Sequence, residues 1–321
     1  MKPVVRILLI SLALIGATIR VTAARAGAPQ DIIVDTDIGD DIDDAFALAL
    51  VLASPEFQID GITTSFGDTG LRAREVQRLL RIAGRPGIPV AAGPRTAPGT
   101  PFTQAEWASS EPQPPTPFPD AVGFMLGRLR AAPPGRITLI ALAPLTTVGA
   151  MIDRDPVAFR RLRRVVMMGG SIRRGYGAHA GETSSQPSIE YNIRSDPTGF
   201  AKLLASTVPI EMMPIDATEI ALGDTRRNRL FAIRSPLNGA LSELYRQWAA
   251  HNAWGVTPTL FDVVPVARLL RPSVCKPVPL RIAVSNAGAT SVVEGAPNVT
   301  ACLDVDRDAV LDLLQDRLQP K

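Results

Sequence analysis

The sequence predicts an α/β protein with a doubly wound, mostly parallel central sheet flanked by helices. Two observations carry this. Short apolar runs of strand length alternate with runs that read as helices, the rhythm that a parallel sheet requires. The composition, 46% hydrophobic and 20% charged, supports one large core, and 321 residues lie within the range of a single α/β unit.

The elements follow in order. Ile32, Ile33 and Val34 form a β-branched run, read as a buried strand that delivers Asp35 and Asp37 at its C-terminal end. Residues 43–53 (DDAFALALVLA) read as a helix whose leading aspartates suit the positive end of the helix dipole. Residues 57–64 give a second strand and 71–83 a second helix. The alternation continues with a strand at 137–142, a helix at 148–152, a strand at 165–168, a helix at 196–204 and a strand at 210–214. Residues 237–252 read as a separate amphipathic helix, 278–304 alternate like strands, and 307–318 close the chain with a helix. No internal repeat is present. Two stretches read as loops, as solvated connections or as covers for a site: 94–120, rich in proline and containing Trp107, and 169–189, rich in glycine and serine. In doubly wound sheets, sites gather beyond the C-terminal ends of the strands. Asp35, Asp37, Thr64 and Met168 all fall there.

The first 26 residues read as a signal peptide. Lys2 and Arg6 precede an apolar run, residues 7–19, that is short for a bilayer span, and Ala24-Arg25-Ala26 offers a cleavage site. This leaves residues 27–321 as one domain and predicts export to the periplasm or beyond. No later segment is long and apolar enough to cross a membrane. Without the first 26 residues the balance is 30 basic against 31 acidic residues. No basic stripe with interleaved aromatics is present, so nucleic acid is not an expected partner. An oxidising compartment would allow Cys275 and Cys302 to pair, although two buried thiols satisfy the sequence equally.

The densest chemical signal is Asp35-Thr-Asp37-Ile-Gly39-Asp40-Asp41-Ile-Asp43-Asp44-Ala45. Carboxylates this close raise one another's pKa, and a divalent cation removes the conflict. All-oxygen ligands favour Ca²⁺ or Mg²⁺ over zinc, and only two histidines, His179 and His251, are available. A solvated helix cap would explain Asp43 or Asp44, but not Asp35 and Asp37 at the end of a buried strand. Asp262, between Phe261 and Val263, is a second carboxylate in apolar surroundings, costly unless paired or metal-bound.

These residues resemble the D-x-D-x-G-x-D-D-A signature of the inosine-uridine nucleoside hydrolases. Further stretches are similar to that family in chain order: Gly61-Ile-Thr-Thr64, Ala143-Pro-Leu-Thr146, Met167-Met-Gly-Gly170, Glu190-Tyr-Asn192-Ile-Arg-Ser-Asp196-Pro197 and Phe261-Asp262. The resemblance covers nearly all of residues 31–318. It implies calcium-dependent cleavage of the N-glycosidic bond of ribonucleosides. In that reading Asp37 binds Ca²⁺ and acts as general base toward a metal-bound water. Asp44, Asp262 and the carbonyl of Thr146 complete the calcium shell, and Asp35 supports it. Asp43 and Asn192, with Glu190, hold the ribose hydroxyls, and Met168 lies beside the sugar. The resemblance also implies a homodimer or homotetramer. Read without it, Asn192 could be a helix cap, Thr146 a strand end and Met168 part of the core.

The chain departs from the family pattern in four places. Two extra residues separate Gly39 from the Asp-Asp-Ala end, so both Asp41 and Asp44 are candidate metal ligands. Asp68 stands where many members have an asparagine, and remains a candidate contact to a ribose hydroxyl. Ser184 replaces another asparagine. Phe261 occupies the place of a histidine that protonates the leaving base, help worth roughly 10² to 10⁴ in rate. His179 and His251 are candidates for that duty, with Tyr176 and Tyr191 behind them. Trp107, Trp254 and Phe261 could stack on a base or pack in the core. The missing histidine also permits a second function class, a non-catalytic calcium-dependent riboside-binding protein on the same fold. A phosphatase built on the Asp35-x-Asp37 pair is disfavoured, because Gly39 and the scarcity of lysines do not suit it.

Overall fold

The computed structural model describes residues 28–319. The signal-peptide reading lies outside the described residues. In chain order the elements are β1 (Gln30–Thr36), α1 (Asp43–Leu52), β2 (Phe57–Thr64), α2 (Thr69–Ile82), β3 (Val90–Ala92), α3 (Ala105–Ser109), α4 (Ala121–Ala131), β4 (Thr138–Ala141), α5 (Thr146–Arg154), α6 (Pro156–Phe159) and β5 (Arg164–Met168). There follow β6 (Gly175–Tyr176), β7 (Thr183–Ser184), α7 (Tyr191–Ser195), α8 (Pro197–Ala205), β8 (Ile210–Met213), α9 (Ile215–Thr218), α10 (Asp224–Ala232), α11 (Pro236–His251) and α12 (Val263–Leu270). The chain closes with β9 (Val278–Leu280), β10 (Ile282–Val284), β11 (Thr290–Val292), β12 (Val299–Ala301) and α13 (Arg307–Arg317).

Eight strands form the central sheet in the order β3-β2-β1-β4-β5-β8-β12-β9. Every neighbouring pair is parallel except β12 with β9 at one edge. This is the doubly wound, mostly parallel sheet expected from the sequence. The order runs outward from β1 in both directions, which puts a switch point between β1 and β4, where a crevice opens beyond the strand ends.

Alternation along β1 divides the interior. Ile32 and Val34 face a core shared with α1, α2, α11, α12 and α13, whereas Ile33 faces a second core built with α4, α5 and α8. Helix α1 is buried along its whole length, so its Phe46, Leu48 and Leu50 are enclosed on every side. Each such side chain contributes about 1.5–3 kcal/mol relative to exposure. A helix apolar all round must sit inside the protein, and this one anchors the acidic turn that precedes it.

The two loops have more structure than composition suggests. The proline-rich stretch contains α3, and Trp107 on it is 3% exposed within the first core. Trp107 is therefore a packing residue, with the Arg78 guanidinium over its ring at 4.1 Å, and not a base-stacking one. The glycine-rich stretch carries the small β6–β7 hairpin. The alternating tail splits: β9 and β12 join the main sheet, while β10 and β11 form a hairpin of their own. Cys275 and Cys302 are joined in a disulfide, with Cα atoms 5.9 Å apart. No helix among the described residues is long and apolar enough to cross a membrane.

Candidate active site

Strand β1 and helix α1 set the site. Hydrogen bonds in register from β1 to β2 and β4 bring Asp35 level with Thr63 and Ala141, so the chain leaves the sheet at Asp37 directly over the crevice. The turn to α1 passes through Gly39 at φ +122, where an added Cβ would lie 2.2 Å from the Phe102 ring. Only glycine serves in such a backbone. Arg72 from α2 is 1% exposed and holds the turn from below. It donates to the carbonyls of Asp37 and Ile38, the latter at 2.9 Å, and to the Asp40 carboxylate at 2.9 Å. The sequence contained no signal for this role, because a lone arginine in a helix reads as surface.

Above the turn lies a cavity of about 670 Å³, a size suited to a small molecule. Its walls contain Asp37, Asp40, Asp41, Asp43, Asp44, Asp262, Met168, Glu190 and Asn192. His179, His251, Trp254 and Phe261 border it as well. The structure thus gathers residues spread over more than two hundred positions of chain.

Asp43, Asp44 and Asp262 form the metal-competent group. One carboxylate oxygen from each can be chosen so that all lie within 4.8 Å of one another, and all three residues are buried. Asp262 sits at the N-cap position of α12 without a capping side-chain bond, and its main-chain N–H donates to Asp43 Oδ2 at 3.1 Å. The Thr36 hydroxyl donates to Asp44. Asp35 lies one layer deeper, accepting from Thr63 Oγ1 at 2.7 Å. Burial is the main cause pushing these groups upward: Asp35 and Asp44 to about 7 and Asp41 to about 6. Asp37, Asp43 and Asp262 are also raised, by burial first and then by neighbouring carboxylates: Asp44 for Asp37, Asp41 for Asp43 and Asp43 for Asp262. So many buried acids with so little opposing charge fit a hard divalent cation bound through oxygen. Asp44 belongs to the group and Asp41 lies beside it, facing the cavity.

Glu190, which also borders the cavity, caps α7. Its carboxylate accepts from the amides of Gly170 at 2.9 Å, Asn192 at 2.7 Å and Ile193 at 3.0 Å. Asn192 is not the cap; its Nδ2 donates to the Leu142 carbonyl at 2.8 Å. Met168 is 4% exposed and borders the cavity, so it serves core and site together.

Two predicted residues lie elsewhere. Asp68 caps α2, accepting from Leu71 N at 3.1 Å, and pairs with Arg95 at 2.5 Å. It does not border the cavity, because the chain turns into the helix at that point. Thr146 opens α5 with its hydroxyl 3.0 Å from Ser65 Oγ. The same segment reaches the cavity at Leu142, four residues earlier. Sequence reasoning also missed Thr100, Pro101 and Thr103, which wall the site from the proline-rich stretch, and Trp248 and Glu219. The Thr100 hydroxyl donates to Asp40 at 2.6 Å.

A carboxylate-walled cavity at the switch point of a parallel sheet, with a metal-competent centre, defines an α/β enzyme acting on a small molecule. The chain belongs to the inosine-uridine preferring nucleoside hydrolase family, whose model matches residues 32–312. Its relatives include the pyrimidine-specific ribonucleoside hydrolase RihA of Salmonella enteritidis, 32% identical, over 90% of this chain and 98% of that one. The Citrobacter koseri protein of the same name is 31% identical over 89% and 97%. Among solved structures, a plant nucleoside hydrolase superposes with a TM-score of 0.78 at 24% identity, over 91% of this chain and 100% of that one. A purine-preferring ribonucleoside hydrolase from Gardnerella vaginalis gives 0.75 at 19% identity, over 90% and 98%. The protein is a ribonucleoside hydrolase, and its acidic cluster can hold a metal.

Proposed function

We propose that the protein splits ribonucleosides into ribose and free base with Ca²⁺ as cofactor and Asp37 as the base that activates water. The observation that carries this is the meeting of Asp43, Asp44 and Asp262 within 4.8 Å, in the same cavity wall as Asp37. Bound Ca²⁺ would relieve the repulsion among these carboxylates, acidify a water molecule and engage the ribose 2′- and 3′-hydroxyls.

The residues supply the remainder. Asp37 takes the proton of the water that attacks C1′. Asp43 accepts from a ribose hydroxyl, and Asn192, held by the Leu142 carbonyl, contributes its amide to the same sugar. The cluster of negative charge favours the oxocarbenium-like state through which glycosidic cleavage passes. The base then lies toward Phe261, Tyr176, His251 and Trp254, the aromatic side of the cavity. Uridine and cytidine are the first substrates to test, since the curated relatives are named for pyrimidines.

The test is a reducing-sugar assay on a panel of ribonucleosides, with and without chelation, beside Asp37→Ala. Ribose release that is lost in the variant and under chelation supports the reading. Riboside and calcium bound without any ribose released would support the binding-protein alternative. We also propose export with cleavage after Ala26, on the basis of the leader-like first 26 residues. An intact N-terminus on protein recovered from the producing cell would overturn it. Assembly into a dimer or tetramer is the corresponding proposal for quaternary state, and light scattering decides it.

A further inference from the structure

We propose that Glu219 is the acid that protonates the departing base. This rests on the hydrolase reading above and fills the role that Phe261 leaves open. The first support is register. Ala221 and Thr259 form an antiparallel bridge. On either side of it, Leu260 N–H donates to the Ile220 carbonyl and Leu222 N–H to the Pro258 carbonyl, both at 2.8 Å. The bridge thereby holds the chain after α9, where Glu219 is the C-terminal cap, beside the chain that enters the turn at Phe261 ahead of α12. Both residues border the cavity.

The second support is the environment of the carboxyl group. Glu219 is 4% exposed. The amides of Gly181 and Gly177 face it from the β6–β7 hairpin, and the charged and titratable groups that face it are Arg307 at the start of α13 and Tyr176 on β6. His179 lies on the same hairpin loop and borders the cavity. The Tyr176 ring meets the Phe261 ring edge-on with centroids 6.0 Å apart, so the wall beside Glu219 is aromatic. Sugar on the aspartate cluster leaves the base against this wall. Burial pushes the Glu219 carboxyl up to about 7 against the pull of the two amides and of the Arg307 charge. The group therefore keeps a proton near neutrality and can release it, as a general acid must.

The step balances. As the C1′–N bond breaks, its electron pair passes to the base, and the Glu219 O–H proton goes to a base nitrogen or carbonyl oxygen. Water adds to C1′ and its proton goes to Asp37. One nucleoside and one water give ribose and a neutral base, and the two carboxyl groups reset by exchange with solvent.

The experiment compares wild type, Glu219→Gln and Glu219→Asp, all calcium-loaded, on uridine and on para-nitrophenyl β-D-ribofuranoside. The nitrophenolate departs without a proton. We expect Glu219→Gln to lose roughly 10²- to 10⁴-fold in kcat on uridine and to turn over the nitrophenyl riboside nearly as wild type does. The wild-type kcat on uridine should fall above about pH 7, a limb absent with the nitrophenyl riboside. Unchanged uridine turnover in Glu219→Gln overturns the assignment. Equal losses on both substrates, in Glu219→Gln and Glu219→Asp alike, overturn it in favour of a structural role. A wild type that cleaves the nitrophenyl riboside and leaves uridine intact protonates no departing base and overturns the assignment, while cleavage at C1′ stands. A wild type that cleaves neither removes the hydrolase reading with it.

Discussion

The main-chain N–H of Asp262 donates to Oδ2 of Asp43 at 3.1 Å, across 219 residues of chain. This bond ties the start of α12 to the start of α1 and presents the Asp262 carboxylate to the cluster. Asp262→Asn keeps the backbone donor and the side-chain shape while removing one charge. We expect a folded protein whose Ca²⁺ affinity is lower by at least about 100-fold, since ligand charge sets the affinity of oxygen sites. Calorimetric titration measures it, and an unchanged Kd would take Asp262 out of the metal-binding set.

If the carboxylates engage the ribose hydroxyls as proposed, the enzyme discriminates against 2′-deoxyribose. A site built to hydrogen-bond a hydroxyl rejects the analogue lacking it by about 10⁴. We expect kcat/KM for 2′-deoxyuridine to lie below that for uridine by a factor of this order. Comparable values would mean that the 2′-hydroxyl carries no part of transition-state binding.

Stability of the metal-free protein should fall as pH rises. Burial holds Asp35 and Asp44 up to about 7 and Asp41 up to about 6. The unfolded chain releases these protons near pH 4. Between roughly pH 4 and 7 the folded state therefore binds more protons than the unfolded state, and its stability declines through that window. Calcium bound at the cluster as proposed would displace the same protons. The difference in Tm between loaded and chelated protein should widen from about pH 5 to about pH 7.5, followed by calorimetry. A constant difference would show that the cluster is already ionised without metal.

Arg72 is the principal counter-charge beneath the acidic turn. Arg72→Met leaves Asp40 and two carbonyls without their buried donor, a change that costs about 3–5 kcal/mol. Arg72→Lys should recover only part of this, because one ammonium cannot reproduce the fork that meets three acceptors. Urea unfolding gives the values, and a loss below about 1 kcal/mol, the scale of a surface ion pair, would contradict the assigned role.

The Cys275–Cys302 disulfide closes a separation of 27 residues that contains β9, β10, β11 and β12. Its removal by Cys302→Ser should lower stability by about 2–4 kcal/mol. No difference between the oxidised and reduced protein would show that packing alone holds the tail.

The first half of the site was legible because it is local. The apolar run into Asp35, the acidic turn and the start of α1 follow one another within fifteen residues, and each part signals its structure by composition. The strand at 57–64 agreed with β2 residue for residue. Trp107 was harder to place, since a proline-rich stretch conceals the short helix that buries it. Asp68 and Thr146 show the limit from the other side. Asp68 is spent capping α2 and Thr146 is the first residue of α5, and neither borders the cavity. The alternating tail announced strands but not their partners, because a period of two says nothing about which edge receives them.

By itself, the sequence determined the alternating strands and helices that build the sheet, though not α4 or α10, together with the acidic turn at the end of the first strand and the kind of chemistry those acids allow. Periodicity, capping and charge density act between near neighbours, so they can be read along the chain. Only the tertiary structure decided that Asp262 meets Asp43, that Leu142 and not Thr146 reaches the cavity, that Arg72 underlies Asp37, and that Glu219 and Phe261 line one cavity. These pairings depend on sheet order and strand register, which arise from the burial of two cores at once and are encoded by no local segment.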